Sequence, residues 1–149
     1  PVNPAILSRN QKTLNPKDMS NLSTMKSIAQ ARAKFAWECA NGKDKDKEYG
    51  SLVNKIPTYI KTNGLLNTLA FLYSDRVNKQ GQITKKGEVL KNIRQWLTHS
   101  EYGLLSLNPN SDEQLMTHLT TSVTAKDLIQ CTTEVLALFI WLRRFAKSE

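Results

Sequence analysis

The stretch IPTYIKTNGLLNTLAFL, residues 56–72, limits the possible folds more than any other part of the chain. Its isoleucine and leucine residues recur every three or four positions, which is typical of a helix face that packs against a core. Pro57 and Gly64 interrupt this pattern. Pro57 fits either the first turn of a helix or the kinked interior of a helix that runs from Tyr49, and Gly64 after Asn63 suits the left-handed conformation that ends many helices. We therefore predict two helices that meet at a corner at Gly64, the second of them central in the fold.

Helical periodicity also precedes this corner. Apolar residues between Ser20 and Asn41 trace one stripe, and Gly42 is a suitable stop signal, so one long helix is predicted there. The run KDKDKE, residues 43–48, alternates in charge and contains no apolar residue. This run therefore indicates a solvated loop between the two helical segments.

Three further helix starts carry capping residues. Thr84 precedes a periodic apolar segment, Ser111 begins a Ser-x-x-Gln capping-box pattern, and Thr124 opens the last segment. No segment shows the alternation of a strand. The sequence therefore predicts an all-α fold, a compact single-domain bundle of about five to seven helices over residues 20–149. The proline-containing residues 1–19 are predicted to form a loosely ordered arm.

Positive charge is concentrated in the middle of the sequence. The net charge of the 149 residues is +8, and residues 50–97 contain eight Lys and Arg against two Asp and Glu. A surplus of this kind favours a polyanion such as nucleic acid as the partner. A solvated surface that only improves solubility is the alternative.

The sequence offers little for catalysis or metal binding. His99 lies in a predicted loop beside Ser100 and Glu101, and His118 has no histidine or carboxylate four residues later. Neither histidine therefore predicts a metal pair or a nucleophile–base dyad. The two cysteines are interpreted as reduced, buried side chains, and no glycine-rich phosphate loop is present. We expect no enzyme activity, no cofactor and no metal, and, because no spanning segment or leader is recognised, a cytoplasmic protein.

Three segments resemble one protein family. YGSLVNKIPTYIKTNGLLNTLAFL, residues 49–72, resembles the signature of the small helical subunit of the type III-B CRISPR effector, the Cmr complex. Members of that family pair a P-x-x-I-x-x-N-G-L corner with a helix rich in leucine and phenylalanine. FIWLRRFAK, residues 139–147, is similar to the family's C-terminal segment, and AQARAKFAWECA, residues 29–40, to its first helix. The resemblance spans most of residues 22–147.

The resemblance implies a non-catalytic helical protein that stacks with further copies of itself along the complex, against the backbone subunit that holds the guide. It also implies a basic surface that faces crRNA and target RNA. The candidate RNA-binding residues that follow from it are Lys61 and Asn63 at the corner, and Arg143 and Arg144 in the C-terminal motif. Three of them have a structural role as the alternative: Asn63 as a turn residue beside Gly64, and Arg143 and Arg144 as helix caps.

Two other classes of function bear comparison. A helix-turn-helix DNA-binding protein needs a recognition helix with exposed polar residues, whereas the helix after Gly64 is rich in leucine and phenylalanine, which disfavours this class. A purely structural helical adaptor without nucleic-acid contact remains the alternative. In either case Trp37, Trp96 and Trp141 are predicted to be core or subunit-interface residues.

Overall fold

The computed structural model describes residues 27–43 and 46–146. These residues form six α-helices: α1 (Ile28–Ala40), α2 (Lys47–Asn63), α3 (Leu65–Ser74), α4 (Lys85–Leu97), α5 (Asp112–Thr121) and α6 (Ala125–Phe145). The described residues contain no β-strand, and Val77 and Ile83 form an isolated antiparallel bridge. The predicted all-α fold is confirmed. The predicted arm, residues 1–19, lies outside the described residues.

The first helix begins later than predicted. The Ser27 hydroxyl accepts a hydrogen bond from the Gln30 amide at 3.1 Å, and the Gln30 side chain accepts one from the Ser27 amide at 3.0 Å. This capping box starts α1 at Ile28, because Ser27 itself has an extended backbone. The prediction of one continuous helix from Ser20 to Asn41 is therefore wrong at its start, and residues 20–26 lie outside the described residues.

The predicted corner is present. Pro57 is buried in the interior of α2, which begins at Lys47, so it lies inside a helix rather than in the first turn of one. α2 ends at Asn63, and Gly64 separates it from α3 with φ +85° and ψ 162°. The positive φ is as predicted, although this ψ belongs to an extended region that is open essentially to glycine alone, rather than to the left-handed helical one. The Gly64 amide donates to the Ile60 carbonyl oxygen at 2.8 Å and closes α2.

One hydrophobic cluster receives side chains from all six helices. The most buried helix is α4, which packs against α2, α3, α5 and α6, whereas α3, the helix predicted to be central, packs mainly against α2, α4 and α5. Phe71 on α3 remains 37% exposed. The hydropathy of α4 does not reveal its burial, because two of its buried residues, Asn92 and Arg94, are polar. Both have partners inside the fold: Asn92 accepts a hydrogen bond from the Tyr49 hydroxyl at 2.6 Å, and Arg94 pairs with Asp112.

The three predicted helix starts after the corner are confirmed. Each capping side chain accepts a hydrogen bond at 3.1 Å from the backbone amide three residues later: Thr84, Ser111 and Thr124. The Gln114 side chain accepts from the Asn108 amide instead of the Ser111 amide, so the reciprocal half of that capping box is not formed.

Two residues of the charged run 43–48, Lys43 and Asp46, form salt bridges with α4. Lys43 Nζ lies 2.7 Å from a Glu88 carboxylate oxygen, and Asp46 lies 2.7 Å from Lys85 Nζ. The hydrogen bond from Lys85, together with the backbone amide that Asp46 caps, holds the pKa of Asp46 below its usual value. The prediction of a solvated loop is therefore wrong for Lys43 and Asp46. Their partners lie some 40 residues away in the sequence, so no pattern within the run indicates these contacts.

A largely buried ionic contact joins α1 to α6. Arg32 forms a bidentate salt bridge with Glu134, with N–O distances of 2.7 and 2.8 Å, and the Trp96 indole N–H donates to the same carboxylate at 2.8 Å. The Arg32 and Glu134 side chains are 19% and 13% exposed. The hydrogen bond from Arg32 and, after it, the one from Trp96 hold the pKa of Glu134 below its usual value against the opposing effect of burial. Trp96 is a core residue, as predicted.

Candidate nucleic-acid interface

A groove of about 640 Å³ runs between α2 and α6. Lys47 contributes to it from the first turn of α2, and Arg143 and Arg144 contribute from the last turn of α6. The other lining residues are small, polar or aliphatic: Gly50, Ser51, Asn54 and Ile140. Three cations from two helices therefore converge on a groove that has no acidic lining residue. We call it the basic groove.

One of the two arginines is oriented by a contact across the groove. Arg143 Nε donates to Asn54 Oδ1 at 3.1 Å. This bond occupies one of the five guanidinium N–H groups. The other four remain to bind an anion, and the planar fork of a guanidinium matches the geometry of a phosphate.

The charge of the basic groove is not neutralised within the described part of the chain. Elsewhere in the described residues, other cations pair with carboxylates: Arg32, Lys34, Lys43, Lys85, Lys86 and Arg94. Lys47, Arg143 and Arg144 form no ion pair with residues 27–43 or 46–146. Clustered like charges in a cleft focus the electrostatic field, so the groove favours an anionic ligand.

The exposed face of α2 continues beyond the groove. Lys47, Ser51, Asn54, Thr58 and Lys61 follow one another at intervals of four, three, four and three residues, and all five are exposed. At 1.5 Å per residue, Lys61 lies about 21 Å from Lys47 along the axis and about 10 Å beyond Asn54. Lys61 therefore shares the groove's side of α2 without lining the groove.

The corner residue Asn63 belongs to a different site. It lines a small cleft of about 180 Å³ between α2 and α3. Of the four predicted RNA-binding residues, the structure brings Arg143 and Arg144 together, places Lys61 on the adjoining face of α2, and places Asn63 in a cleft that none of the other three lines.

Sequence reasoning missed Lys47 and Asn54. Lys47 belongs to the charge run that indicated a loop, whereas in the structure it begins α2. The seven-residue spacing of Lys47, Asn54 and Lys61, without an acidic residue on that helix face, was the signal available in the sequence. No local pattern shows that α6 packs beside α2.

A family model for CRISPR-associated proteins, Cas_Cmr5, matches residues 28–149. The match covers all six helices and therefore both walls of the basic groove. The chain belongs to the Cas_Cmr5 family.

Membership of the Cas_Cmr5 family confirms the resemblance to the small helical subunit of the type III-B Cmr complex. The chain is accordingly a Cmr subunit in CRISPR defence, and it associates with other subunits of that complex. The match includes the corner at Gly64 and the C-terminal segment that carries Arg143 and Arg144.

His99 of this Cas_Cmr5 protein has a structural role. Its Nδ1 atom accepts hydrogen bonds from the backbone amides of Glu101 and Tyr102 at 3.1 and 3.3 Å, and its ring lies 5.4 Å from the Trp96 ring. These contacts fix the turn after α4.

His118 lines a cavity of about 310 Å³ together with Asp127 and Cys131. Burial raises the pKa of the Cys131 thiol to about 11, so this thiol is protonated near neutral pH and is a poor nucleophile. Residues 27–43 and 46–146 contain no group of three or more potential metal ligands among His, Cys, Asp and Glu. Among the described helices, none combines the length and the apolarity that crossing a membrane requires.

Proposed function

We propose that this chain is a non-catalytic, RNA-contacting subunit of the Cmr ribonucleoprotein in cytoplasmic antiviral defence. Further copies stack side by side along the complex, against the backbone subunit that holds the guide. Each copy lays its basic groove against the phosphates of the duplex between crRNA and target RNA. The observation that carries this proposal is the convergence of Lys47, Arg143 and Arg144 on one groove without an acidic lining residue.

The chemistry of the groove favours phosphate contact over base reading. A-form RNA hides the base edges of its deep major groove and presents phosphates and 2′-hydroxyl groups, which lysine and arginine bind in any sequence. Lys61 extends the contact surface along α2, and the Asn54 amide holds Arg143 at the groove. Each copy supplies only a few such contacts, so useful affinity arises when several copies align along one duplex.

The test compares two charge-reversed variants of equal charge. The groove variant carries Lys47→Glu, Arg143→Glu and Arg144→Glu. The control variant carries three lysine-to-glutamate changes at exposed positions elsewhere that form no ion pair with a described residue: Lys79, Lys91 and Lys126. A third variant, Lys61→Glu, tests the face of α2 separately.

Each variant is assembled into the Cmr complex, and retention of target RNA is measured over a range of salt concentrations. The groove variant should lose RNA at lower salt than the parent, and the slope of log affinity against log salt should fall by about one for each phosphate contact removed. Unrelated target sequences should be affected equally. Circular dichroism should show unchanged helical content, and the control variant should retain RNA as the parent does.

The structural adaptor is the second candidate, and one observation favours it. Trp37 is 56% exposed on α1, and its ring packs edge-to-face against Phe145 at 5.4 Å. An exposed tryptophan beside another aromatic ring is typical of a protein–protein contact. If the groove variant assembles normally and retains target RNA like the control at every salt concentration, the adaptor explains the protein and RNA contact is rejected.

A further inference from the structure

The cleft at the corner combines aromatic and amide side chains in a regular arrangement. Tyr59 and Asn63 lie four residues apart on α2, and Asn67 and Phe71 lie four residues apart on α3. Each helix thus presents one ring and one amide on the same face. Because α2 and α3 meet at Gly64, the two pairs line one cleft, with Thr68 as the remaining lining residue. We call it the corner cleft.

The geometry points to a binding site for one unstacked base of single-stranded RNA, with a preference for adenine. This inference takes RNA as the partner from the proposed function, but it concerns other residues and another part of the nucleic acid. The basic groove binds phosphates of a duplex, whereas the corner cleft presents an aromatic ring and two amides to an unstacked base.

The aromatic rings provide a stacking surface. Tyr59 and Phe71 are 39% and 37% exposed, and their ring centroids lie 5.4 Å apart at an angle of 41°. A base between the two rings would need about 7 Å, which is two van der Waals separations, so the base does not intercalate. Lys86 Nζ already lies over the Phe71 ring, 4.5 Å from its centroid. Tyr59, which carries no cation from the described residues, is therefore the ring on which the base stacks.

The two amides provide hydrogen bonds at the edge of that base. Asn63 and Asn67 are exposed, and neither side chain makes a hydrogen bond with another described residue. An asparagine amide pairs with the N6 and N7 positions of adenine by donating and accepting at once. Thr68 takes no part, because its hydroxyl donates to the Gly64 carbonyl oxygen at 2.8 Å and thereby fixes the corner.

Size and polarity distinguish a base from other occupants. A volume of about 180 Å³ lies below the ~300 Å³ at which sites for larger organic ligands begin, so the cleft admits a single ring system. An apolar side chain of a protein partner would bury both amides without a hydrogen-bond partner, which is unfavourable. Lys55, exposed and one turn before Tyr59, stands where it can meet the phosphate of the bound nucleotide.

The test is a titration of the ¹⁵N-labelled full chain with AMP, followed by the side-chain amide resonances of asparagine. Asn63 and Asn67 should shift with AMP and approach saturation at millimolar concentration, and UMP should bind more weakly. Ribose 5-phosphate, which has the same sugar and phosphate but no base, should leave both amides unshifted. Tyr59→Ala should weaken AMP binding by about 5-fold or more, the lower end of the effect of removing one stacking ring, while Tyr59→Phe should preserve it.

Equal shifts with ribose 5-phosphate, no shift with AMP, or AMP binding that Tyr59→Ala leaves unchanged would each overturn the corner cleft as a base site. A fully paired RNA duplex, added to the same labelled chain, reports on the proposed function through the backbone resonances of Lys47, Arg143 and Arg144. If the duplex shifts the backbone resonances but AMP does not shift the amide resonances, the corner cleft is rejected as a base site and the basic groove is retained as the duplex site. AMP shifts without duplex shifts at high protein concentration and low salt keep the cleft and reject the groove.

Discussion

Replacement of Glu134 by glutamine removes the negative charge from the contact between α1 and α6 and preserves the shape of the side chain. The carboxylate accepts two hydrogen bonds from Arg32 and one from Trp96. In the variant, the glutamine NH₂ group faces an Arg32 N–H group, so one hydrogen bond is lost and the guanidinium keeps a charge that nothing nearby compensates. We expect Glu134→Gln to lower the free energy of unfolding without changing the fold.

The magnitude follows from the burial of the pair. A net hydrogen bond to a charged group is worth about 1.5–3 kcal/mol, and breaking a fully buried ion pair costs about 3–5 kcal/mol. Because Arg32 and Glu134 are 19% and 13% exposed, water reaches part of the guanidinium in the variant. We therefore expect a loss of about 2–3 kcal/mol near pH 7, measured by urea unfolding.

The pH dependence of this loss provides a second check. The folded-state pKa of Glu134 is held below its usual value, mainly by Arg32. The ionised carboxylate therefore stabilises the fold at pH values above the unfolded pKa of about 4.3, and this contribution disappears as the pH falls through the lower folded pKa. The difference between parent and variant should stay constant from neutral pH to about pH 5 and shrink on further acidification, because protonated Glu134 resembles glutamine.

Glu38→Gln is the matched control. Glu38 pairs with Lys34 on the surface of α1 at 3.9 Å, and the two side chains are 60% and 65% exposed. Its replacement should cost less than about 0.5 kcal/mol. If Glu134→Gln costs no more than Glu38→Gln, or if its effect does not shrink on acidification, the contact between α1 and α6 is not the stabilising pair described above.

Three further outcomes are expected. Gly64→Val should lower the free energy of unfolding, measured in urea, by more than about 1 kcal/mol, because φ is +85° at this position. No atom lies within 4 Å of an added Cβ, so backbone strain is the only cause expected, and a neutral effect would contradict it. Gly87→Ala should lower the free energy of unfolding by about 1–3 kcal/mol, because the new Cβ would overlap the Arg76 carbonyl oxygen. Alanine has the higher helix propensity, so a variant more stable than the parent would refute the overlap. The purified chain should not cut RNA or DNA with or without Mg²⁺ or Mn²⁺ in a gel assay, and cleavage that disappears in His99→Ala or His118→Ala would overturn that expectation.

Local signals in the sequence predicted local features well. Thr84 and Thr124 start helices because a hydroxyl that accepts an amide three residues later needs no distant partner. Gly64 ends α2 for an equally local reason, its positive φ. The start of α1 was predicted incorrectly although Ser27 and Gln30 form a local capping box, because the apolar stripe on the N-terminal side suggested a longer helix.

The candidate site depends on contacts that no local pattern encodes. Arg143 and Arg144 were identified by resemblance, but their neighbour Lys47 could be recognised only once α6 was seen beside α2. The corner cleft shows the same limitation. Phe71 lies in the helix that the sequence predicts to be central, and only the packing of α2 on α3 shows that its ring and that of Tyr59 meet and stay partly open to solvent.

The pairing of the first described helix with the last has a consequence for synthesis on the ribosome. Arg32 and Glu134 are 102 residues apart. At ~5–20 residues per second, about 5–20 s separate the addition of these two residues to the growing chain. During that interval α1 lacks α6, the helix against which it mainly packs in the finished protein, and among aromatic partners in the described part of the chain it has only Trp96 and His99, which lie beside Phe35. We therefore expect α1 to dock last, so that translation of α6, rather than of α1, determines when the nascent chain stops exposing an apolar surface.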